Sequence, residues 1–226
     1  MKVQEIEFLR MEYRFSSGTG DLEADRYINK YEVEIWGEGE NEQGEELSQL
    51  IGKASFCLFL IGLALDESFD MYQLFDEGEV NRELGNMAFN WDTEEFNEDF
   101  ENIIGEVCNS NILYLDRIEI LPEFKGRNFG KKVIKDIVCR FHSCCGVVVL
   151  KAFPLQFEYA NISGMGDEWS KKMKYDELLQ NEKMARKQLN QFYKSIGFTQ
   201  YPKSEYFYLD PDKQNRKLEK IDLSEC

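Results

Sequence analysis

The chain has 226 residues, enough for one generous domain, and 42% of them are apolar against 31% charged. This is the balance of a globular protein and excludes a disordered one. Its 27 basic and 43 acidic residues give a net charge of −16. Because nucleic-acid binding depends on Lys and Arg that neutralise phosphates, this charge predicts no nucleic-acid partner. It fits either a cationic substrate or simple solubility.

The first residues, the apolar stretches and the cysteines indicate where in the cell the protein is located. Residues 1–15 alternate charged and apolar side chains, unlike a secretory signal. The most apolar stretch, 54–65, is shorter than the ~20 residues that cross a bilayer. None of the six cysteines forms a CxxC pair, and His142 is the single histidine. We therefore expect a cytoplasmic protein with reduced thiols, no membrane partner and no metal.

The first half of the chain predicts an antiparallel sheet. Residues 3–15 have a β-like pattern with one change of parity, which allows for a bulge, and residues 31–36 alternate strictly. The acidic, glycine-rich segment 37–47 predicts a loop, and a strand near 52–61 would pair back. Residues 66–105 predict two short helices in an acidic region.

The second half predicts a strand–helix–strand unit. A strand at 111–121, a helix at about 128–142 and a strand at 146–153 follow one another, as in a crossover between neighbouring strands. Residues 156–181 are polar and irregular, which predicts a surface insertion.

A closing helix and two strands end the chain. The apolar side chains of "EKMARKQLNQFYKSIGF" recur at helical spacing, Gly197 is placed where a left-handed helix stop is expected, and strands fall around 198–209. The apolar positions are Ala185, Leu189, Phe192 and Ile196.

The stretch "FKGRNFGKKVI" at 124–134 indicates an anion site. The chain turns at Gly126, and Asn128 is a good N-cap residue for the following helix. The N-terminal amides of that helix form the positive end of its dipole, and four cations crowd them. A solvated helix start is the alternative. The cations are Lys125, Arg127, Lys131 and Lys132.

Two familiar phosphate loops do not match this stretch. A Walker A loop reads Gly, then four residues of any type, then Gly-Lys-[Ser/Thr]. Here three residues separate Gly126 from Gly130, and Lys132 stands where the hydroxyl residue belongs. A dinucleotide fingerprint needs three glycines, and the stretch has two.

The stretch resembles the loop of the GNAT superfamily of N-acyltransferases, which reads Gln/Arg-x-x-Gly-x-Gly/Ala after a strand. Lys125 takes the first position, Asn128 that of the first glycine, and Gly130 that of Gly/Ala. Lysine keeps the charge but lacks the guanidinium fork. Asparagine tolerates left-handed backbone geometry better than most residues.

A second similarity lies in "LNQFYKSIGF", where Tyr193 and Gly197-Phe198 match the closing helix of the family. Arg186 stands where the family often has asparagine. The resemblance covers about 111–210 and implies an α/β fold. This would be a single N-acetyltransferase-like domain over 1–226, with a mixed, mostly antiparallel central sheet and helices on both faces.

The resemblance implies acetyl-CoA, or another acyl-CoA, as the donor and a primary amine as the acceptor. Backbone groups of Ile118 and Ile120 would pair with the pantetheine arm. The loop would take the pyrophosphate. The loop residues implied are Lys125, Gly126, Arg127, Asn128, Phe129, Gly130 and Lys131.

Two side chains are expected to move protons. Tyr193 holds the position at which tyrosine often protonates the leaving thiolate, and an aromatic at the edge of the core is the alternative. Glu119 is expected to be the general base, with a surface ion pair to Arg117 as the alternative. The acceptor would enter over 66–105, whose acidity suits a cationic amine.

Together these features predict an N-acetyltransferase that acylates an amine by direct attack. A non-catalytic acyl-CoA-binding sensor and a protein-interaction domain are the alternatives. The edge strand near the C-terminus would either pair with a second copy, giving a homodimer, or be covered by the charged tail.

Overall fold

Seven strands form one mixed sheet in the order β1-β2-β3-β6-β7-β9-β8, and β4 and β5 form a separate small hairpin. The computed structural model describes residues 5–16, 23–41, 43–76, 79–93, 95–104, 109–158 and 167–223. The strands are β1 (Glu5–Ser16), β2 (Ile28–Glu40), β3 (Glu46–Phe59), β4 (Phe89–Asn90), β5 (Glu95–Phe96), β6 (Ile112–Ile120), β7 (Val147–Lys151), β8 (Thr199–Gln200) and β9 (Tyr206–Leu209).

The helices lie before, between and after these strands. They are α1 (Ile61–Asp66), α2 (Met71–Phe75), α3 (Glu79–Ala88), α4 (Glu98–Ile104), α5 (Phe129–Phe141), α6 (Glu168–Met173), α7 (Glu182–Ser195) and α8 (Arg216–Glu219). Within the described ranges, no helix is both long and apolar enough to cross a membrane.

The first three strands form the long antiparallel part of the sheet, and the β1–β2 pairing has the expected irregularity, between Ile6 and Phe8. The prediction of a loop over 37–47 is wrong for most of that segment, because β2 continues to Glu40 and β3 begins at Glu46. The glycines fit this strand for a steric reason. A Cβ on Gly37 would lie 2.7 Å from Cδ1 of Ile6, so glycine allows the strands to approach closely.

The sheet has a core on each face, which confirms the predicted α/β class. Val148 and Leu150 of β7 pack in the same core as the apolar face of α5, with α7 at its edge. Val147 and Val149 point to the other face and pack in the core that contains α1 to α4. The β6–β7 pair is parallel and the other strand pairs are antiparallel.

The segment after β7 is more ordered and more buried than its polar composition indicates. It contains a 3-10 turn at 155–157, helix α6 and a second 3-10 turn at 175–177. Trp169, Met173 and Tyr175 are buried in the core beside α5. Most of 167–179 is exposed, as expected of a surface insertion, but the segment is partly helical and these three side chains attach it to the core. Residues 159–166 lie outside the described residues.

Candidate active site

Strands β6 and β7 separate halfway along β6, which opens the sheet. Their last parallel pair is Leu115 with Leu150, and β6 then continues to Ile120 without β7 beside it. The β3–β6 register shifts at the same place, between Ser55 and Phe56. A bulge of this kind bends its strand, and here it lies where β6 leaves β7.

The open edge of β6 presents backbone groups of Ile118 and Ile120. The amide of Leu121 donates to the carbonyl of Ile51 at 2.9 Å, so Leu121 faces β3. Because successive residues of a strand direct their backbone groups to opposite sides, Glu119 also faces β3, while Ile118 and Ile120 face the gap. These two residues were predicted to pair with an extended ligand.

The loop after β6 turns through two left-handed residues. Gly126 has a φ of +84° and Asn128 has a φ of +61° with a ψ of 10°. Asn128 occupies the N-cap position of α5, as predicted, but its side chain makes no capping hydrogen bond. Asparagine therefore serves here as a residue that tolerates left-handed geometry, and the first amides of α5 are left without a side-chain cap.

The structure separates the four cations of this stretch. Lys125 and Lys131 line a cavity beside the loop, whereas Arg127 is exposed and outside that lining. Lys132 is buried, and its Nζ has no hydrogen-bond partner among the described residues. Partial desolvation of its ammonium group lowers the pKa of Lys125, although the residue as a whole is exposed, and the charge of Glu119 partly offsets this.

This cavity, which we term the loop cavity, has a volume of about 550 Å³ and brings together the open edge of β6, the loop, the end of β7 and one face of α7. All but one of the predicted site residues line it, Arg127 being the exception. They are Ile118, Glu119, Ile120, Lys125, Gly126, Asn128, Phe129, Gly130, Lys131 and Tyr193.

Glu119 is surrounded by hydrogen-bond donors. Its side chain is only 5% exposed, Oε1 accepts from the hydroxyl of Tyr175 and, at 3.4 Å, from Arg117, and Oε2 accepts from Nε1 of Trp169 at 3.1 Å. A general base needs an oxygen that can reach the proton of the substrate. Both oxygens of Glu119 are engaged, so this geometry favours a residue that anchors the segment after β7.

Tyr193 has a ring that packs in the core and a hydroxyl without a hydrogen-bond partner among the described residues. The ring packs against Phe192, Phe198 and Phe207 with centroid distances of 5.3, 6.0 and 5.9 Å. Its hydroxyl makes no hydrogen bond to any residue that the structure describes. Burial raises the pKa of Tyr193 above its ordinary value. The phenol is therefore neutral at physiological pH and is able to donate a proton or a hydrogen bond.

Several residues that line the loop cavity could not be predicted from the sequence motifs. Lys151 ends β7, Phe153 follows it, and Met173 and Tyr175 come from the segment after β7. Trp169 and Met173 are four residues apart in an otherwise polar segment. This helical spacing could have predicted that they share one buried face. Across the described parts of the chain, no group of three or more His, Cys, Asp or Glu residues could hold a metal ion.

The chain matches no model of a known protein family and no curated protein. Solved structures with a similar arrangement include the KacTA–DNA complex, at 9% identity over 89% of this chain and 94% of that chain, with a TM-score of 0.39. AtaT complexed with acetyl-methionyl-tRNAfMet is 12% identical over 89% and 94%, with a TM-score of 0.36. AtaTR bound with AcCoA is 12% identical over 91% and 95%, with a TM-score of 0.38.

One sequence-based prediction is wrong on this finding. The acidic net charge was expected to exclude a nucleic-acid partner, yet two of these three structures contain nucleic acid. The physical reason is that net charge sums over the whole surface, whereas phosphate contacts depend on where individual cations lie. Likeness at this level assigns no activity to the chain.

Proposed function

We propose that this protein is an N-acyltransferase that moves an acyl group, acetyl in the simplest case, from an acyl-CoA to a primary amine. The observation that supports this is the composition of the loop cavity. One cavity contains a strand edge that β7 does not cover, a helix N-terminus whose N-cap side chain makes no capping hydrogen bond, Lys125 and Lys131, and the side chain of Tyr193.

These parts fit the three parts of an acyl-CoA. The amides at the start of α5, together with Lys125 and Lys131, would hold the pyrophosphate. Backbone groups of Ile118 and Ile120 would pair with the amides of the pantetheine arm, as an added strand does. The thioester would then lie near the point where β6 and β7 separate, beside Tyr193.

The reaction forms a bond from the amine nitrogen to the thioester carbonyl carbon and breaks the bond from that carbon to sulphur. The leaving thiolate takes up a proton, and the neutral phenol of Tyr193 would supply it or stabilise the sulphur by hydrogen bonding. A lysine-like ammonium has a pKa of about 10.4, so its deprotonation at pH 7 costs roughly 4–5 kcal/mol. The amine proton therefore needs an acceptor.

Isothermal titration with acetyl-CoA tests the binding part of the proposal. We expect saturable binding that weakens at least about tenfold in Lys131→Ala, since one charge-assisted phosphate contact contributes about 1.5–3 kcal/mol. Lys187→Ala, which removes an exposed lysine on α7 outside the loop cavity, is the matched control and should bind as the parent does. Absence of binding heat with the parent protein would contradict the proposal.

A non-catalytic acyl-CoA-binding protein is the second candidate. It is favoured by the observation that both carboxylate oxygens of Glu119 already accept hydrogen bonds. If the residue expected as base serves only as an anchor, the cavity could bind acyl-CoA without turnover. A thiol-release assay over a panel of amines separates the two, because only the enzyme releases free CoA in an amine-dependent way.

A further inference from the structure

A second cavity borders the loop cavity. It has a volume of about 860 Å³ and lies between α3, α4 and the turn from β8 to β9, so we term it the hairpin cavity. Lys151 lines both cavities, and it is the residue after Leu150, at which β6 and β7 separate. The two cavities therefore adjoin at Lys151, next to the point where β6 and β7 separate.

Glu83 of α3 lies at this junction. Its Oε2 is 2.5 Å from Nζ of Lys151 and accepts a hydrogen bond of 3.0 Å from the hydroxyl of Tyr206, which pairs with Lys151 across β7 and β9. Burial, the charge of Asp116 and the charge of Glu83 together raise the pKa of Tyr114 on β6. Glu83 is thus held from two strands at the opening of the sheet.

The two oxygens of Glu83 differ in their contacts. Both donors bind Oε2, and Oε1 makes no hydrogen bond to any residue in the described ranges. The side chain is 40% exposed, against 5% for Glu119. Burial would raise the pKa of Glu83, but the hydrogen bonds from Lys151 and Tyr206 outweigh this and lower it. The carboxylate is therefore ionised at neutral pH and has one oxygen available.

We propose that the hairpin cavity binds the acceptor as a cationic primary amine and that Oε1 of Glu83 contacts its ammonium group and takes up its proton. This rests on the acyltransferase function proposed above. The ammonium gives one proton to Glu83, directly or through water, and the neutral nitrogen attacks the thioester carbonyl. After the attack, a second proton leaves nitrogen and replaces the proton that Tyr193 donates to the departing sulphur. Glu83 releases its proton to solvent, and the products are an amide, free CoA and one proton.

The charge of the hairpin cavity agrees with a cationic acceptor. Its lining contains four carboxylates against two lysines. Glu83 is paired with Lys151 and Glu205 with Arg186, which leaves Glu98 and Asp99 against Lys203. Glu98 and Asp99 are exposed on the first turn of α4 and face this space. A cationic group that enters is attracted along the cavity towards Glu83.

The test compares Glu83→Gln with a matched control, Glu67→Gln. Glu67 is a carboxylate with the same kind of partners, since Oε2 accepts from the Tyr27 hydroxyl at 2.7 Å and Oε1 from Arg26 at 3.0 Å, but it lines neither cavity. Each protein is titrated with acetyl-CoA and assayed for CoA release. The amine probes are a short alkyl diamine and an amino-acid amide, with the corresponding alcohol as the uncharged probe.

We expect acetyl-CoA to bind the parent and both variants with dissociation constants within about twofold. The kcat/KM for amines should fall by about 10²–10⁴ in Glu83→Gln and remain unchanged in Glu67→Gln. Equal kcat/KM in Glu83→Gln and the parent, or no turnover of any amine by a parent that binds acetyl-CoA, would overturn the assignment of Glu83 and its cavity. Absence of acetyl-CoA binding would instead refute the proposed function itself.

A second variant covers the case in which Glu83→Gln does not fold. Tyr206→Phe removes only the hydroxyl that holds Oε2 of Glu83. We expect it to lower kcat/KM for amines by about tenfold, in line with the loss of one hydrogen bond to a charged group. An unchanged kcat/KM in Tyr206→Phe would count against the role of Glu83.

Discussion

The indole Nε1 of Trp169 donates a hydrogen bond of 3.1 Å to Oε2 of Glu119. This contact joins α6 to the central strand β6, and the hydroxyl of Tyr175 adds a second donor from the same segment. The wall of the loop cavity formed by Met173 and Tyr175 therefore depends on a buried carboxylate of β6.

Replacement of Glu119 should lower stability. In Glu119→Gln one acceptor oxygen becomes a donor that faces other donors, which leaves a buried polar group unsatisfied and costs about 1–3 kcal/mol. Urea unfolding measures this loss. Asp66→Asn, at the exposed end of α1, should leave the free energy of unfolding within about 0.5 kcal/mol. A Glu119→Gln protein of unchanged stability that lost only kcat would restore Glu119 as the base.

The left-handed conformation of Asn128 should matter for ligand binding. Asn128→Val places a β-branched residue at a φ of +61°, which should cost about 1–2 kcal/mol of stability and displace the amides at the start of α5. Asn128→Gly should keep the acetyl-CoA affinity, because glycine adopts this conformation freely. Titration calorimetry and urea unfolding provide the two measurements.

Ser68 supplies the control for that experiment. It has a φ of +54° in the turn after α1 and lies outside both cavities. Ser68→Val should therefore lose stability but bind acetyl-CoA normally. If both valine variants lost affinity equally, the effect would be one of stability and not of the loop.

The hydroxyl of Tyr193 should matter for turnover and not for folding. Tyr193→Phe keeps the ring contacts and removes a hydroxyl without a partner in the described structure, so stability and acetyl-CoA affinity should stay the same while kcat falls by about 10²–10⁴. The neutral phenol is the active form, and its raised pKa keeps it neutral as the pH rises through 10. Ionisation of Tyr193 should therefore cause no fall in kcat near pH 10. The check is to measure kcat against pH for the parent and for Tyr193→Phe.

The buried thiol of Cys57 should make stability fall with alkaline pH. Burial raises its pKa from 9.0 to about 11. Because the unfolded thiol ionises first, Cys57 contributes full stability below pH 9, and this contribution is lost as the pH rises towards 11. Cys57→Ala should flatten the decline in unfolding free energy over this window by up to about 2–3 kcal/mol.

Cys139 is the comparison for that effect, since it is exposed on α5. The free energy of unfolding is measured at several values between pH 8 and 11 with a reductant present. Cys139→Ala should follow the parent curve. A Cys57→Ala curve parallel to that of the parent would show that the thiol does not titrate differently on folding.

The sequence by itself determined the local elements that bear on the site. Alternation in 31–36 marked β2, helical spacing marked α5 and α7, and Gly197 ends α7 with a φ of +98° as predicted. The clustered cations and glycines of the loop predicted an anion site at the start of α5. Periodicity, capping and turn preference act over a few residues, so they can be read from sequence.

Only the tertiary structure decided which side chains share a cavity and which oxygens are free. Glu119 and Glu83 both appear in the sequence as glutamates near apolar residues. The fold buries Glu119 among Trp169, Tyr175 and Arg117. It places Glu83 beside Lys151, although the two are separated by 68 residues in the sequence. Contacts at such separations depend on how the sheet opens and how the helices pack on it, and no local pattern encodes that.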